Sequence, residues 1–412
     1  MMKNILIINS CILPVPPVKG GAVENLEYNL ILYNEKKKEC HFDVLAVYDK
    51  QAENAAKKLR NTRFLYFQAP RFIKMLDGIL FHITNILFSN EKSMRFRYLM
   101  ERVYIIRKMR DYLCEEKVYD KIIFENSSLM YQAIRMKKLE KRYRNRCIFH
   151  VHNELKNAYG CGELLNNSKI LCVSRFIKDS LPGYIKEEVK NNSEVLRNGV
   201  DIRKFSPDIP VEERDKIRRN YKIDKNAVVF LFCGQLKKEK GIKELLLAFC
   251  RLTETKENCV LLVAGSYFYG SNLHNKFEKE LEQLYIKCKK FIRFTGYIDY
   301  SEMNKIYGAA DIACMPSIWN DPAPLTIIES IASGLPLITT LSGGIPEYAD
   351  RQCAVILKRD SHIVDNLYLT MKELAEQPER REKMRRSALG IRDELDIEKY
   401  CETFMRHILR NG

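Results

Sequence analysis

Short apolar runs, rich in β-branched residues, alternate with longer helix-type segments along almost the whole chain. Continuous apolar strands separated by helices are typical of parallel sheets that helices cover on both faces. These runs fall into two sets, which predicts an α/β protein with two doubly wound domains. The predicted strands are residues 4–9, 43–48, 63–67, 121–124, 147–151 and 169–173 in the first set, and residues 228–233, 259–264, 291–294, 311–315, 335–340 and 353–357 in the second.

The boundary between the two sets is predicted near residues 198–201, ahead of a turn-rich stretch that lacks periodicity. We therefore expect a first Rossmann-like domain at residues 1–200 and a second at residues 201–390. A helical end, residues 391–412, is expected to pack back toward the first domain. Ligands of open α/β sheets bind at the carboxyl ends of the strands. The expected site is thus a cleft across which the two domains face each other.

The chain is strongly basic, because 69 Lys and Arg residues outnumber 53 Asp and Glu residues and give a formal net charge of +16. Nucleic acid, an anionic membrane surface and phosphorylated substrates would each explain such a charge. The sequence has neither zinc-finger spacing nor an aromatic RNP-type motif, so no nucleic-acid partner is expected. A phosphorylated substrate and a peripheral contact with an anionic membrane are the interpretations that stay open.

Nothing in the sequence predicts a secretory signal or a membrane span, since the apolar N-terminal stretch is short and no run of about 18 apolar residues exists. We therefore expect a cytoplasmic protein, with association at the inner face of the plasma membrane left open. The 13 cysteines are scattered without a C-x-x-C pair. Buried free thiols explain them better than disulfides or zinc in a reducing compartment.

Residues 70–112 combine an apolar stripe with basic charge. Seven apolar residues recur at helical spacing, namely Phe72, Leu76, Ile79, Leu80, Ile83, Ile86 and Leu87. Basic residues follow, namely Arg95, Arg97, Arg102, Arg107, Lys108 and Arg110. The favoured interpretation is a helix whose apolar face packs on the sheet. The alternative is docking on a membrane surface, where anionic headgroups attract basic residues.

Residues 316–336 carry the most specific chemistry. A strand ends near Met315, a Pro-rich loop follows, and a short helix begins at about Leu325 and is stopped by Gly334. Backbone N–H groups at such a helix start form an anion site suited to a diphosphate. Glu329 lies in this helix, and Asp321 lies eight positions earlier. Carboxylates beside a phosphate site are suited to accept hydrogen bonds from the hydroxyls of a ribose or a sugar.

This segment resembles the E-x7-E region of retaining glycosyltransferases of family 4, which have the GT-B fold. Asp321 takes the place of the first Glu and Glu329 matches the second. The resemblance implies that Glu329 holds the ribose hydroxyls and Asp321 the donor-sugar hydroxyls. The family usually has Gly-Phe-Gly after the first acid, whereas this chain has Pro-Ala-Pro. Pro324 has no N–H, so the substrate contacts expected here are Ala323, Leu325 and Thr326.

Two segments of the first half resemble the family in the same order along the chain. Gly20 and Gly21 follow the first strand, and the resemblance implies that their loop faces the donor diphosphate. His152 ends a strand, and the resemblance implies that it faces the reacting sugar carbon and the acceptor. Residues two apart on a strand point to the same face. The assignment between His150 and His152 is therefore left open.

In the second half, residues 234–241 resemble a Gly-Arg-Leu…Lys-Gly element whose Arg and Lys neutralise the diphosphate. Lys240 matches the Lys, whereas Gln235 replaces the Arg and removes its fork of donors. Residues 294–297 resemble the segment that contacts the base, which points to Gly296 and Tyr297. Further resemblances cover residues 172–174, 196–205 and 342–347, so they extend over nearly the whole chain.

The resemblance implies a retaining transfer of a hexose or N-acetylhexosamine from a nucleotide sugar, with UDP favoured. The implied acceptor is a glycan or a lipid-linked molecule in cell-surface polysaccharide synthesis. The sequence has no Asp-x-Asp element, so neither a metal nor a cofactor is expected. Lys240, the helix start near Leu325 and the Gly20–Gly21 loop would carry the charge of the leaving group. A nucleotide-sugar epimerase, a phosphorolytic enzyme and a degenerate nucleotide-binding subunit are the alternatives on the same fold.

Overall fold

The computed structural model describes residues 2–87, 98–115, 118–265 and 276–410. The chain divides into two compact units. Unit 1 consists of Met1–Val173, Ile177–Leu196 and Cys401–Gly412, and unit 2 consists of Ser174–Phe176 and Arg197–Tyr400. Each unit contains one parallel sheet with helices between its strands. Arg95 and Arg97 of the predicted basic stretch lie outside the described residues.

Unit 1 has a sheet of seven parallel strands in the order β3-β2-β1-β4-β5-β6-β7. The strands are β1 (Lys3–Ile8), β2 (Cys40–Val47), β3 (Thr62–Phe67), β4 (Lys121–Glu125), β5 (Cys147–Val151), β6 (Lys169–Cys172) and β7 (Glu194–Val195). The apolar runs predicted all six longer strands, because both faces of the sheet are covered and the central strands are almost fully buried. The order reverses between β1 and β4, which places the switch point of the sheet there.

The helices of unit 1 lie between these strands. They are α1 (Ala22–Lys37), α2 (Lys50–Ala56), α3 (Arg71–Leu87), α4 (Leu99–Glu115), α5 (Lys137–Tyr143), α6 (Gly162–Asn166), α7 (Arg175–Asp179), which begins in unit 2, and α8 (Glu187–Asn192).

Unit 2 has a sheet of six parallel strands in the order β10-β9-β8-β11-β12-β13. The strands are β8 (Val228–Cys233), β9 (Cys259–Ala264), β10 (Ile292–Gly296), β11 (Ile312–Met315), β12 (Leu337–Thr340) and β13 (Ala354–Leu357). The helices are α9 (Val211–Asn220), α10 (Ile242–Thr255), α11 (Lys276–Cys288), α12 (Met303–Ala309), α13 (Leu325–Ala332), α14 (Ile345–Tyr348), α15 (Ile363–Glu376) and α16 (Pro378–Ile391). All six strands match predicted runs, and the switch point lies between β8 and β11.

The last helix, α17 (Ile397–Leu409), begins in unit 2 and ends in unit 1. At its end, Lys3 Nζ donates to the carbonyl of Leu409 at 2.6 Å, and Lys121 Nζ donates to that of Arg410 at 2.8 Å. Cations at the carboxyl end of a helix stabilise carbonyl groups that have no partner within the helix. None of the described helices is both long and apolar enough to cross a membrane.

Helix α3 exists as the spacing predicts, but its orientation contradicts the favoured interpretation. The apolar stripe is exposed: Phe72 is 60% exposed and Ile86 is 71% exposed. The buried positions are instead Ile73, Asp77 and Thr84. Asp77 turns inward because its carboxylate accepts hydrogen bonds from the backbone N–H groups of Met100 and Glu101 at the start of α4, at 2.9 and 2.8 Å.

The expectation of free thiols alone is wrong at one place. Cys250 of α10 and Cys288 of α11 form a disulfide, with Cα atoms 5.5 Å apart. The two residues are 38 positions apart, and they meet because α10 and α11 are neighbours in the fold. Spacing alone carried no signal of this pair. The other 11 cysteines are free.

Candidate functional site

The loop after β8 is positioned by a close backbone approach. It carries Gln235 and a short turn, Lys238–Lys240, and Gly241 then opens α10 with a φ of 71°. A Cβ atom on Gly241 would lie 1.8 Å from the carbonyl oxygen of Pro316, so only glycine fits. The backbone N–H of Ile318 donates to the carbonyl of Glu239 at 2.9 Å. The loops after β8 and β11, on either side of the switch point, are therefore held together.

This arrangement brings Lys240 and Asp321 into an ion pair, with 2.5 Å between Nζ and Oδ2. A turn beneath the acid fixes its loop, because the backbone N–H of Gly344 donates to the carbonyl of Asp321 at 2.9 Å. A Cβ atom on Gly343, which has a φ of 51°, would lie 2.4 Å from the same carbonyl oxygen. Lys240, Asp321, Pro324 and Thr326 line one cavity together with Phe232, Cys233, Met315, Ser317, Ile327 and Ile345.

The start of α13 borders this cavity and has no side-chain cap. Pro324 occupies the cap position with a φ of −71°, and the first turn contains no acidic residue. The carbonyl of Ala323 accepts a hydrogen bond from Asn198 Nδ2 at 3.2 Å, which fixes the preceding loop. The N–H groups of Leu325 and Thr326 thus begin a helix whose dipole favours an anion.

Glu329 follows one turn later on α13 and is only 4% exposed. Its Oε2 accepts a hydrogen bond from the hydroxyl of Tyr307 at 2.7 Å. Burial raises the pKa of the Glu329 carboxyl, while hydrogen bonds from Tyr307 and Tyr300 and the charge of Lys204 act in the opposite direction. The ammonium of Lys204 lies 3.7 Å from the centre of the Tyr300 ring. The carboxylate is therefore a buried acceptor whose present donors are two phenol hydroxyls.

Six predicted site residues of unit 2 do not line the cavity beside Lys240, namely Gln235, Gly296, Tyr297, Ala323, Leu325 and Glu329. Gln235 is exposed, and the side chain of Tyr297 is 65% exposed. Gly296 ends β10 with a φ of 72°. The sequence did not predict Lys204, Tyr300 and Tyr307 as site residues, because nothing in their spacing links them to Glu329.

In unit 1, Glu125, His150 and His152 form a buried cluster at the carboxyl ends of β4 and β5. Oε2 of Glu125 lies 3.0 Å from Nδ1 of His150 and 3.0 Å from Nε2 of His152. These two ring nitrogens also lie 3.0 Å apart. Both histidines, between which the sequence left the assignment open, therefore contact the same carboxylate oxygen. Glu125 was missed, although an acid ending the apolar run 121–125 was a usable signal.

Burial and neighbouring charge set the protonation of this cluster. Burial alone raises the pKa of the Glu125 carboxyl, but the two histidines outweigh it and lower that pKa to about 2. Burial and His150 lower the pKa of His152 to about 4. A carboxylate only accepts hydrogen bonds, so the proton of a neutral His152 lies on Nε2 when this atom bonds Glu125. Nδ1 of His152 is then the acceptor at neutral pH.

More acidic groups surround the cluster near the start of α1. Oε2 of Glu27 accepts a hydrogen bond from Asn9 Nδ2 at 2.7 Å, and burial raises the pKa of Glu27 well above its usual value. Burial also raises the pKa of Glu24. Gly20 and Gly21 precede α1 with φ values of 74° and 110°. The carboxylate of Glu24 lies beside Gly21, where a Cβ atom would be 2.1 Å from its Oε2.

Among the described residues, this cluster is the group of His, Cys, Asp and Glu side chains that could bind a metal ion. The ligand atoms of Glu125, His150 and His152 all lie within 4.8 Å of one another. Two imidazoles and a carboxylate suit zinc or ferrous iron. The hydrogen bonds at 3.0 Å already satisfy the facing atoms. The absence of a metal therefore stays a prediction.

Residues 213–389 match the family model of the glycosyl transferases group 1. The match covers 177 of the 412 residues, all in unit 2. The matched segment contains Lys240, Asp321 and Glu329, whereas Gly20, Gly21 and His152 lie in unit 1, outside the match.

Two curated relatives match about half of the chain. The putative glycosyltransferase YtcC of Bacillus subtilis is 29% identical over 209 residues, which are 48% of this chain and 51% of the relative. The lipopolysaccharide 1,2-N-acetylglucosaminetransferase of Salmonella typhimurium is 26% identical over 233 residues, which are 55% of this chain and 56% of the relative. The chain thus spans about half the length of the curated relatives it matches.

A solved structure resembles the whole chain. HepE from Anabaena, crystallised in complex with UDP-glucose, matches with a TM-score of 0.70 at 14% identity, covering 98% of this chain and 99% of that one. At such low identity the likeness shows the fold alone. That fold is the two-domain α/β fold of the GT-B glycosyltransferases, so the prediction of fold class is confirmed.

Proposed function

We propose that this chain is a retaining glycosyltransferase that moves a hexose or an N-acetylhexosamine from a UDP-linked donor to a glycan or a lipid-linked acceptor. The observation that carries the proposal is the uncapped start of α13 beside the Lys240–Asp321 pair, within a group 1 domain. A helix start and a cation suit a diphosphate, and both border one cavity of about 20 Å³ here, so the Lys240–Asp321 pair has to separate before a diphosphate enters.

On the donor side, the N–H groups of Leu325 and Thr326 and the ammonium of Lys240 receive the diphosphate. They stabilise the charge that develops on the leaving group, without reorganisation during the reaction. Glu329 receives the ribose hydroxyls in place of a tyrosyl hydroxyl. Once Lys240 turns to the phosphates, Asp321 accepts hydrogen bonds from the sugar. Gly296 and Tyr297 serve the base, and Gln235 and Ala323 complete the donor contacts.

In unit 1, we assign His152 to the acceptor and the reacting sugar carbon, with Glu125 and His150 holding its ring. The neutral ring has an acceptor atom at Nδ1, so it is suited to orient a hydroxyl group. Gly20 and Gly21 are assigned to the diphosphate. Burial raises the pKa values of Glu24 and Glu27 and so disfavours their charged forms beside that anion.

We further propose that the acceptor belongs to a cell-surface polysaccharide and is used at the inner face of the plasma membrane. The name of the Salmonella relative supports a lipopolysaccharide-type acceptor. The complex of HepE with UDP-glucose supports a UDP-linked donor. The net charge of +16 supports contact with anionic lipid or with phosphorylated substrates.

The experiment that tests the proposal begins with a thermal-shift screen of nucleotides and nucleotide sugars. The stabilising donor is then supplied in labelled form, with and without an acceptor lipid extract. Transfer of label to the extract, with the anomeric configuration retained by NMR, supports the proposal. A changed nucleotide sugar without acceptor would show an epimerase, and a sugar phosphate formed only with added phosphate would show a phosphorolytic enzyme.

A degenerate nucleotide-binding subunit is the second candidate, because two positions depart from the family pattern. Gln235 is exposed and offers no cation, and Pro324 offers no N–H. Tight nucleotide binding without donor hydrolysis or transfer would favour this candidate. Restoring the cation with Gln235→Arg then discriminates further, since it should raise activity only if an active site is present.

A further inference from the structure

Helix α3 presents three different faces to its surroundings. At 100° per residue, the seven exposed apolar side chains fall on one arc of about 120°. We call this set the outward arc, and it consists of Phe72, Met75, Leu76, Ile79, Ile83, Ile86 and Leu87. The inward arc carries the buried Ile73, Asp77 and Thr84. Arg71 and Lys74 are exposed on the remaining face.

The outward arc is more apolar than a water-exposed helix face should be. Scattered exposed apolar residues are ordinary, but a continuous stripe along a helix of 17 residues marks an interaction surface. Five of the seven residues are at least half exposed, namely Phe72, Met75, Ile79, Ile86 and Leu87. A rotation of α3 that buried these residues would expose the inward arc and break the hydrogen bonds between Asp77 and the start of α4.

The charges of α3 select the kind of partner. Asp77 is its one acidic residue and is 4% exposed, so the exposed charges of the helix, Arg71 and Lys74, are both positive. At 100° per residue, Arg71 lies about 40° beyond the edge of the outward arc, whereas Lys74 lies on the opposite side of the helix. A surface that is apolar at its centre, positive at one edge and free of exposed acidic side chains complements an interface whose interior is apolar and whose headgroups are anionic. A second copy of the chain would set these positive charges, and a net charge of +16, against each other.

We propose that the outward arc of α3 is a docking surface for an anionic lipid bilayer. The helix lies in the plane of the headgroups, because it is not both long and apolar enough to span a bilayer and only its outward arc is apolar and exposed. Its apolar side chains enter the outer part of the acyl region, while Arg71, beside the arc, contacts the headgroup phosphates. This inference does not depend on the transferase chemistry.

The test is flotation of the full chain with vesicles of phosphatidylglycerol and phosphatidylcholine, against vesicles of phosphatidylcholine alone. The wild type should bind the anionic vesicles, and added salt should weaken binding. The double variant Ile79→Ser, Ile83→Ser should lower the bound fraction on the order of tenfold. The variant Arg71→Gln should lose about fivefold on anionic vesicles only, and Lys74→Gln, on the opposite side of the helix, should lose less.

Leu369→Ser is the matched control, because Leu369 is 57% exposed on α15 of unit 2. It should bind vesicles as the wild type does. Equal loss in Leu369→Ser and in the Ile79→Ser, Ile83→Ser variant would overturn the proposal. A wild type that stays off anionic vesicles at low salt would also overturn it. A third outcome would overturn it as well. In that outcome the wild type is a dimer by light scattering and does not bind vesicles, and the Ile79→Ser, Ile83→Ser variant is a monomer. Unchanged thermal unfolding of each variant verifies the fold.

Discussion

The ammonium of Lys240 and the carboxylate of Asp321 are paired, with Nζ 2.5 Å from Oδ2. The proposed function gives them different targets, the diphosphate and the donor sugar. Donor binding therefore has to exchange the Lys240–Asp321 pair for two sets of ligand contacts. The side chain of Asp321 is 8% exposed and that of Lys240 is 34% exposed, so Lys240 is the partner with room to move.

Substitution at the two ends of this pair should change UDP affinity in opposite directions. Lys240→Gln should weaken UDP binding roughly tenfold to a hundredfold, because a charge-assisted hydrogen bond to phosphate is lost. Asp321→Asn should strengthen UDP binding, since it releases Lys240, while transfer from the donor sugar falls. Titration calorimetry measures both effects. Lys243→Gln, which removes a cation paired with Glu280 instead, is the control. Weaker UDP binding in Asp321→Asn would contradict the exchange.

Glu329→Gln should abolish transfer while the chain stays folded, because the amide replaces one acceptor oxygen of the carboxylate by an NH2 donor and removes the negative charge. An assay with the labelled donor measures the loss, and circular dichroism verifies the fold. Near-normal turnover would remove Glu329 from the site.

Tyr307→Phe should lower the free energy of unfolding by about 1–3 kcal/mol, because the buried Glu329 carboxylate loses a hydrogen-bond donor. Denaturant unfolding measures the change. Tyr297→Phe is the control, since its side chain is 65% exposed and its hydroxyl has little to lose. Equal unfolding free energies in both variants would show that the bond to Glu329 is not formed.

The contribution of His152 to stability should fall as the pH drops from about 6.5 to 4. The pKa of His152 is about 4 in the folded chain against a usual 6.5, so the unfolded chain binds the extra proton in that interval. The difference corresponds to about 3 kcal/mol. His152→Gln should flatten this part of the profile. His407, whose pKa is also lowered to about 4, contributes with the same sign, and His407→Gln serves for comparison. An unchanged slope in His152→Gln would contradict the buried neutral ring.

Titration of the unfolded chain with a thiol reagent should find 11 free thiols before reduction and 13 after it. The difference is the Cys250–Cys288 disulfide. The double variant Cys250→Ser, Cys288→Ser should give 11 in both conditions. A count of 13 before reduction would restore the expectation drawn from the cysteine spacing.

A chelator should leave transfer unchanged, because the hydrogen bonds within the Glu125, His150 and His152 cluster satisfy the atoms that would bind a metal. Dialysis against EDTA followed by the transfer assay tests this. Activity lost on dialysis and restored by zinc would show instead that the cluster holds a metal.

The strands were predictable because each is an almost continuous apolar run that both faces of a sheet bury. β7 was not, since Glu194–Val195 has two residues and no pattern. Periodicity located α3 but could not say which arc faces the core. An apolar stripe predicts an interface, and whether the sheet or an external partner forms it depends on tertiary contacts such as those of Asp77.

The candidate site was predictable where a motif is local in sequence. Asp321 and Glu329 lie within one loop and helix, and Lys240 follows a strand in a recognisable turn. Their partners come from other elements: Tyr307 lies on α12 and Glu125 ends β4. Contacts between side chains so far apart in the sequence depend on the strand order, which cannot be read from a single sequence.

Asp77 determines which face of α3 is buried. Turning α3 by about a third of a revolution would bury its apolar stripe, and the hydrophobic effect favours that rotation. The two hydrogen bonds that the backbone of α4 donates to the Asp77 carboxylate oppose this rotation. One carboxylate therefore selects between two rotational settings of the same helix. A substitution such as Asp77→Ala removes the restraint and leaves the choice to packing alone.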